Sequence, residues 1–447
     1  MSSDSLALDQ DTIAAIATPS GRGGVSIIRV SGPEALSISE LLTHKTVHAR
    51  QPLLTRFFAE DNGVIDTGIT LFFQSPASFT GEDVVEFHVH GSLAIIKKIE
   101  FELDKIKFVR EAEPGEFTKR ALQNDKIDLL QVEGLDDLLE ASTETQRKRA
   151  QLAFMGSVSS KLFDWRDELI EISSYLETSI DFSDEELPAN TISSFKKKLD
   201  KIKENLLVAI EKAEFSKKIK EGVKVVVSGP PNAGKSSLIN CLLDENISIV
   251  SAHPGTTRDI VCSTVDMNGV CVNIYDTAGL HKTNNEIEIE GIKRAMELLK
   301  ISDIQIRVVD GNDHNWKEKL SEIPVVNRFT IDLINKSDLK KREIIKSSNE
   351  INISTKTGEN LDTFTKTLKE NIDSVVNKGD NPIIFRDRHI KITKKILECL
   401  NSIQVKDIQT SPELVAEDIR HALTLIGKIT GSVGVEEVLD NLFKNFC

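Results

Sequence analysis

The sequence is poor in cysteine, and its few cysteines are not arranged to form a structural site. Five of the 447 residues are cysteine: Cys241, Cys262, Cys271, Cys399 and Cys447. Their number is odd and no two of them form a C-x-x-C pair. Because disulfide frameworks and structural zinc sites need paired cysteines, we expect neither, and we expect a reducing, cytoplasmic environment.

Long apolar runs are also missing. No stretch of 18 apolar residues occurs, so no segment is expected to cross a membrane. Residues 1–11 are acidic, and they lack both the apolar core of a secretory signal and the arginines of a transit peptide. We therefore expect a protein that is neither inserted into a membrane nor exported.

Positive charge is the third scarcity. Lysine and arginine number 56 against 70 aspartate and glutamate, which gives a formal charge of −14. Phosphate contacts need clustered cations, so the chain is expected to bind nucleic acid poorly by itself. If RNA is a substrate, a basic partner or a local patch has to help. No G-x-G-x-x-G segment follows a predicted strand either, so no redox cofactor is predicted.

Apolar periodicity divides the chain into zones. Residues 12 to about 120 alternate short apolar runs, at 25–30, 69–73 and 84–89, with turns rich in glycine and proline. This pattern predicts a strand-rich α+β domain. Residues 223–371 alternate predicted strands and helices, which is the pattern of a parallel α/β sheet.

Helical spacing fills the remaining zones. It covers 128–155, 158–180 and 192–215 before the α/β zone, and 390–403, 412–429 and 433–446 after it. The first stretch has an apolar stripe, formed by Leu129, Val132, Leu135, Leu138 and Leu139. The simplest architecture is a helical domain into which an α/β domain is inserted, because the ends of a compact domain often lie close together.

One loop of the α/β zone carries a phosphate-binding signature. The apolar run at 223–227 leads directly into 229–236, which reads G-x-x-x-x-G-K-S. Such a loop curls its backbone N–H groups around phosphates, while Lys235 reaches the β/γ oxygens and the Ser236 hydroxyl binds Mg²⁺. The residues of this loop expected to bind nucleotide are Asn232, Ala233, Gly234, Lys235, Ser236 and Ser237.

Two later segments indicate the base that is bound and a ligand of the metal ion. Asp338, in the N-K-x-D segment 335–338, can accept hydrogen bonds from guanine N1–H and N2–H₂, which adenine cannot reproduce. A carboxylate at the strand end at Asp276 supports Mg²⁺, and the order of the motifs favours GTP over ATP. The further residues predicted to bind nucleotide are Thr256, Thr257, Asp276, Thr277, Ala278, Gly279, Asn335, Lys336, Asp338, Ser354, Thr355 and Lys356.

The segment between these motifs raises a question about catalysis. Thr257 lies where the first switch loop must sit and is the predicted second Mg²⁺ ligand. Leu280 follows Asp-Thr-Ala-Gly, where Ras-like enzymes carry a glutamine that orients water. Arg258 is the nearest candidate arginine finger, and a structural role is equally open to it.

Motifs spread over the whole chain resemble the tRNA-modification GTPases called MnmE or TrmE. They lie at 21–25 (GRGGV), 28–32 (IRVSG), 78–83 (SFTGED), 114–121 (PGEFTKRA), 124–129 (NDKIDL) and 446–447 (FC). The resemblance implies three domains: an N-terminal α+β folate-binding and dimerisation domain (1–123), a discontinuous helical domain (124–219 and 378–447) and an inserted P-loop α/β G domain (220–377).

The resemblance also implies a biochemical role. It implies a homodimer that works with a FAD-containing partner, MnmG, which would supply the surface for tRNA. The pair would add an aminomethyl or carboxymethylaminomethyl group at C5 of the tRNA wobble uridine, with carbon from 5-formyl- or 5,10-methylene-tetrahydrofolate. Arg29, Glu86 and Lys126 match the family's folate-contacting positions, and a cation and a carboxylate suit folate's glutamate tail and pterin edge.

Family positions also suggest how hydrolysis proceeds without a glutamine at position 280. Glu288 matches the family's water-orienting carboxylate. Asn232, Ser251, His253 and Thr256 match the positions that hold K⁺, and K⁺ beside the phosphates supplies the charge of an arginine finger.

Three positions depart from the family pattern. His281 stands where arginine is usual, and His253 stands where a small or apolar residue is frequent. The given sequence ends at Cys447, where the family continues through a lysine. If that lysine contacts folate, as the resemblance implies, weaker folate binding is expected. Cys447 could act as a nucleophile or be inert.

Two other functions fit part of the sequence. One is an Era-like ribosome-assembly GTPase, a binding switch that shares the Gly-Thr-Thr-Arg-Asp segment at 255–259. It would need a basic RNA-binding module of the KH type, with a Gly-x-x-Gly clamp, after the G domain. A Gly-x-x-Gly segment does occur at 431–434, but the helical spacing after residue 382 does not predict such a module. The other is a self-sufficient folate-dependent transferase whose G domain is only regulatory.

Overall fold

A computed structural model describes residues 11–19, 21–181, 189–245, 247–249, 262–277, 296–327, 329–339, 350–376, 386–404 and 410–433. Residue contacts divide the chain into two compact units. The first, called the N-terminal unit, consists of residues 1–136 and 427–447, and the second, called the central unit, consists of residues 137–426.

The described residues form strands and helices in the order that the sequence patterns predict. The strands are β1 (Thr12–Ile16), β2 (Gly23–Ser31), β3 (Leu53–Phe58), β4 (Val64–Phe73), β5 (Val84–Gly91), β6 (Val109–Glu111), β7 (Val223–Ser228), β8 (Ile247–Ile249), β9 (Cys262–Met267), β10 (Val270–Asp276), β11 (Ile304–Asp310), β12 (Phe329–Asn335) and β13 (Glu350–Asn352). The helices are α1 (Ala35–Thr43), α2 (Leu93–Asp104), α3 (Glu116–Gln123), α4 (Leu129–Glu140), α5 (Glu144–Phe154), α6 (Ser157–Asp181), α7 (Ala189–Glu221), α8 (Lys235–Glu245), α9 (Trp316–Glu322), α10 (Leu361–Val376), α11 (Asp387–Ser402) and α12 (Pro412–Thr430).

The N-terminal unit is built on a six-stranded sheet with strand order β3-β4-β5-β2-β1-β6. Its strands pair antiparallel except for β1 and β6, which are parallel. The alternating side chains of β2 and β5 send Ile28, Val30, Val85 and Phe87 into a core that α1 and α2 also line. The predicted strand-rich α+β domain is confirmed.

The central unit contains a seven-stranded sheet with strand order β13-β12-β11-β7-β10-β9-β8. The strands from β13 to β10 run parallel, and β9 and β8 continue the sheet antiparallel. Nearly all residues of β7 and β11 are buried, as expected for strands covered on both faces, and apolar side chains of α8 and α10 belong to the same core. The predicted parallel α/β sheet is confirmed.

Helices of the central unit flank this sheet in sequence. Helix α5 packs against α6 and α7, and α11 packs against α7. A reciprocal capping box, in which Thr143 and Gln146 exchange hydrogen bonds, starts α5 and so interrupts the helical stretch predicted at 128–155. That stretch therefore forms two helices.

The predicted apolar stripe of α4 is only partly correct. Leu129 and Val132 are fully buried, whereas Leu139 is 70% exposed. Leu139 lies in the last turn of α4, one residue before the helix ends, and helical spacing alone does not reveal where packing stops.

After the sheet, α11 and α12 confirm the predictions at 390–403 and 412–429, and the prediction at 433–446 lies almost wholly outside the described residues. In the part of the chain that the structure describes, no helix is both long and apolar enough to span a bilayer.

Candidate nucleotide site and a second candidate site

The predicted phosphate loop joins β7 to α8, so its last residues form the N-terminus of a helix. Gly229 and Gly234 have φ angles of +154° and +98°. A Cβ atom at Gly229 would lie 2.1 Å from the Val308 carbonyl oxygen, and one at Gly234 would lie 2.1 Å from Asn335 Nδ2. Only glycine fits both positions, and a glycine-rich loop that curls before a helix is the kind of loop that presents backbone N–H groups to a phosphate.

Lys235 is buried within the loop that it closes. Its Nζ donates to the carbonyl oxygens of Gly229 and Pro230, at 2.9 and 3.0 Å, and the residue is 8% exposed. Burial lowers the pKa of Lys235, and the carboxylate of Asp276 opposes this shift. A partly desolvated ammonium gains from a nearby anion, which is the role predicted for this residue.

A hydroxyl and a carboxylate meet beside the phosphate loop. Ser236 Oγ donates to Asp276 Oδ2 at 3.1 Å. The other oxygen, Asp276 Oδ1, is buried and has no hydrogen-bond partner among the residues that the structure describes. Two oxygen ligands, one of them a carboxylate with an unsatisfied atom, are the donor set that Mg²⁺ prefers. These residues therefore fit the predicted Mg²⁺ site. The Thr277 hydroxyl instead donates to Val227 O at 2.9 Å, which ties β10 to β7.

The side chain of Asn335 joins three loops, and its hydrogen bonds are called the Asn335 network. Its Nδ2 donates to Ala233 O at 2.9 Å and to Thr355 Oγ1 at 3.3 Å. Its Oδ1 accepts from the backbone N–H groups of Lys336, at 2.8 Å, and Thr355, at 3.1 Å. Because Asn335 is 1% exposed, these bonds form out of water and fix the phosphate loop against the predicted base-binding segments.

The carboxylate predicted to read the base lies next to the Asn335 network. Asp338 belongs to a 3₁₀ turn, Ser337–Leu339, and is exposed. Ser354 is fully buried, and its hydroxyl donates to Asp338 Oδ1 at 2.7 Å. The same hydroxyl accepts from the Lys356 N–H at 3.3 Å. The structure thus brings together 335–338 and 354–356, two segments that the sequence analysis predicts to bind nucleotide.

Two residues near Lys336 were not among the predicted site residues. Asp310 ends β11, and the parallel pairing of β11 with β12 sets it directly opposite Asn335. Its Oδ2 accepts from Lys336 Nζ at 2.6 Å, and its Oδ1 accepts from the Asn312 N–H at 2.9 Å. Asp310 could have been suggested from the sequence, because it ends a predicted strand and adjacent parallel strands end at the same edge of a sheet.

Several predicted site residues lie outside the described residues, so their predictions stay untested. They are Ser251, His253, Thr256, Thr257, Ala278, Gly279 and Glu288, together with the discussed positions Arg258, Leu280, His281 and Cys447. Of the predicted K⁺ ligands, Asn232 is described. It is exposed and has a left-handed φ of 59°.

A second candidate site lies on the sheet of the N-terminal unit. Arg29 on β2 and Glu86 on β5 are directly opposite in the antiparallel register. Arg29 Nη2 lies 2.9 Å from Glu86 Oε1, and His88 Nε2 lies 3.3 Å from Glu86 Oε2. The guanidinium carbon is 5.5 Å from the ring centroids of both Phe79 and Phe117, within cation–π range.

The third predicted folate residue contacts the loop that carries one of these rings. Lys126 Nζ donates to Pro76 O at 2.8 Å, and Pro76 and Phe79 lie in the loop between β4 and β5. Arg29 and Glu86 are partly exposed, at 26% and 14% of their side chains, so both can be reached from solvent. A cation, a carboxylate and aromatic faces fit an anionic, pterin-containing ligand.

The parallel sheet, the phosphate loop after β7 and the Asn335 network together define the class of P-loop GTPases. Comparison with known proteins identifies the family. Residues 12–126 match the family model described as the GTP-binding protein TrmE N-terminus, and residues 129–447 match the model described as the MnmE helical domain. The chain belongs to the MnmE family of tRNA modification GTPases and is a GTP-hydrolysing enzyme of tRNA modification.

Full-length relatives agree with this assignment. The tRNA modification GTPase MnmE of Dinoroseobacter shibae is 38% identical over 98% of this chain and 99% of its own length. The mitochondrial tRNA modification GTPase gtpbp3 of Dictyostelium discoideum is 36% identical over 99% of this chain and 96% of its own. A solved structure of Era from Aquifex aeolicus is similar to 33% of this chain and to 56% of its own, at 25% identity and a TM-score of 0.27. Family membership over nearly the whole chain decides against the Era-like alternative.

Proposed function

We propose that the chain is a Mg²⁺-dependent, K⁺-activated GTPase whose nucleotide cycle serves the addition of a (carboxymethyl)aminomethyl group at C5 of the tRNA wobble uridine. The observation that supports the nucleotide assignment most is the Asn335 network. It holds the phosphate loop and the segments 335–338 and 354–356 in one rigid frame. In this frame, Asp338 accepts from guanine N1–H and N2–H₂.

The proposed metal site consists of the Ser236 hydroxyl and the carboxylate of Asp276, with Thr257 as a further ligand. Their support is the contact between Ser236 and Asp276 and the unsatisfied Asp276 Oδ1. Bound Mg²⁺ neutralises charge on the β- and γ-phosphates during phosphoryl transfer. Lys235 adds a second positive charge at the same phosphates.

The proposed catalytic group is Glu288, which would orient the attacking water in place of a glutamine. K⁺ would be held by Asn232 together with Ser251, His253 and Thr256, and it supplies positive charge at the phosphates when bound. The support from the described residues is Asn232, because its exposed side chain lies in the phosphate loop itself.

Steady-state hydrolysis in matched KCl and NaCl tests the catalytic proposal. We expect hydrolysis to be at least tenfold faster in KCl, because the ion contributes transition-state charge. We expect Glu288→Ala to reduce kcat by roughly a hundredfold, while the neighbouring control Glu286→Ala stays close to wild type. Equal rates in the two salts would exclude the K⁺ role, and a wild-type rate for Glu288→Ala would exclude the catalytic assignment.

The proposed one-carbon site is the cluster of Arg29, Glu86 and Lys126 in the N-terminal unit. We propose that it binds a tetrahydrofolate derivative, that the chain acts as a cytoplasmic homodimer, and that a FAD-containing MnmG partner supplies redox chemistry and a tRNA surface. The partly exposed Arg29–Glu86 pair, flanked by Phe79 and Phe117, supports the ligand class.

Titration with 5-formyl-tetrahydrofolate tests the one-carbon proposal. We expect Arg29→Ala to weaken binding about tenfold or more, because a charge-assisted contact is lost. The control Arg56→Ala removes an exposed arginine from β3 of the same sheet and should leave binding unchanged. GTP hydrolysis should be unaffected in both variants. Wild-type affinity in Arg29→Ala would rule out this site, and tRNA modification by the chain alone would favour the self-sufficient transferase.

A further inference from the structure

A carboxylate outside the predicted nucleotide-binding segments contacts the lysine of the N-K-x-D segment. Asp310 Oδ2 accepts from Lys336 Nζ at 2.6 Å, and their side chains are 28% and 33% exposed. The pairing follows from the sheet, because the parallel register sets Asp310 opposite Asn335, the residue before Lys336. Asp310 is therefore held at the edge of the proposed guanine pocket by the backbone of two strands.

Lys336 has a backbone conformation that needs support. Its φ is 68°, in the left-handed region that is unfavourable for a residue with a side chain. Its N–H donates to Asn335 Oδ1 at 2.8 Å, and its carbonyl accepts from the Leu339 N–H at 3.2 Å. The backbone is thus fixed by the Asn335 network and the 3₁₀ turn, while the contact with Asp310 fixes the end of the side chain.

We propose that Asp310 is a positioning residue of the guanine-nucleotide site, which anchors the Lys336 ammonium so that the lysine stem is ordered before the nucleotide arrives. The proposal rests on the assignment of 335–338 to guanine. A free lysine side chain loses considerable rotamer freedom when a ligand orders it. Anchoring it in advance removes that cost from binding, so Asp310 tightens nucleotide affinity without touching the nucleotide.

The charge of Asp310 suits this role at neutral pH. Burial raises the pKa of its carboxyl, but hydrogen bonds from Lys336 and from the Asn312 N–H outweigh burial and hold the pKa below its usual value. The group is therefore ionised over the range in which GTPases are assayed.

A purely structural role for Asp310 predicts a different result from substitution. Asp310 Oδ1 also accepts from the Asn312 N–H at 2.9 Å, which closes the turn after β11. Asp310→Asn keeps an oxygen for that turn and removes the charge that holds Lys336. Asp313→Asn is the matched control, because Asp313 lies in the same turn and pairs with Lys319 of α9, which has no predicted part in the site.

The test measures the affinity and dissociation rate of a fluorescent GDP analogue with the full chain. We expect Asp310→Asn to bind about tenfold more weakly, mainly through faster dissociation, with the thermal midpoint of the nucleotide-free protein unchanged. KM for GTP should rise in proportion, with kcat within about twofold of wild type. Asp313→Asn should behave as wild type. Affinity within twofold of wild type in Asp310→Asn, or a loss matched by a lower midpoint, would overturn the proposal.

A double-mutant cycle with Lys336→Met isolates the coupling. Methionine keeps an apolar stem without the ammonium, so Asp310→Asn should have no further effect in the Lys336→Met background. Full additivity of the two losses would show that Asp310 acts by another route. An Asp338→Asn arm separates this inference from the proposed function. If Asp338→Asn changes base preference while Asp310→Asn changes nothing, the guanine assignment stands and the inference fails.

Discussion

Among single residues, Asn335 connects several segments of the candidate nucleotide site through the hydrogen bonds of its side chain. Each of its two polar side-chain atoms makes hydrogen bonds, and its amide connects residues more than a hundred positions apart in sequence. The absence of a side chain at Gly234 makes room for this amide, since a Cβ atom there would lie 2.1 Å from Nδ2. Sequence spacing finds both residues, and the structure shows that a side chain at Gly234 would displace the Asn335 amide.

Asn335→Ala should weaken GTP binding by roughly a hundredfold. The substitution removes hydrogen bonds to Ala233 O, Thr355 N and Lys336 N, and it leaves buried backbone groups without partners, at about 1–3 kcal/mol each. Equilibrium binding of labelled GTP measures the loss. Asn273→Ala is the control, because Asn273 bonds Glu221 O and Thr264 in the same sheet, away from the phosphate loop. Equal affinities in the two variants would contradict the role given to Asn335.

The phosphate loop and the N-K-x-D turn could be predicted because each is a contiguous motif whose spacing encodes its chemistry. Asp310 and the Arg29–Glu86 ion pair could not be derived in this way, because both arise from the pairing register of strands distant in sequence. The exposure of Leu139 was missed for a related reason, since helical periodicity does not show where a partner surface ends.

At the scale of secondary-structure elements, the carboxylate of Asp137 connects the chain segment that precedes the parallel sheet with the segment that follows it. Helix α7 leads into β7, and α11 follows the sheet in the chain. Asp137, near the end of α4, accepts from Lys220 on α7 and from Arg386 immediately before α11. Lys217 on α7 and Asp387 on α11 form a further ion pair, with 2.9 Å between Lys217 Nζ and Asp387 Oδ1. These contacts join the segment that enters the parallel sheet to the segment that follows it.

Asp137→Ala should destabilise the chain by about 3 kcal/mol, because it leaves two cations without their shared carboxylate at a position that is 11% exposed. The thermal unfolding midpoint should fall by several degrees, as calorimetry would show, while GTP affinity is retained. Glu144→Ala removes an exposed ion pair with Arg147 and serves as the control, with a midpoint close to that of the wild type. A wild-type midpoint in Asp137→Ala would show that these contacts do not stabilise the junction.

For the whole molecule, the net negative charge agrees with the proposal that a partner provides the surface for tRNA. The chain carries a formal charge of −14, and its proposed one-carbon and nucleotide sites lie in different compact units. An acidic chain gains little affinity from RNA phosphates, which agrees with a proposed partner that supplies the basic surface. Composition alone predicted this need, whereas the identity of the tRNA substrates has no counterpart in any described residue.

The central claim is that this family member binds guanine nucleotide through Asp338, held by Ser354 beside the Asn335 network. Hydrolysis of GTP and XTP by the full chain tests it most directly. Xanthine carries a carbonyl where guanine carries the 2-amino group, so the amide of Asp338→Asn can donate to it. We predict that Asp338→Asn lowers kcat/KM for GTP by roughly a hundredfold or more and that XTP becomes the better substrate. Unchanged preference for GTP over XTP in Asp338→Asn would contradict the assignment of the base site.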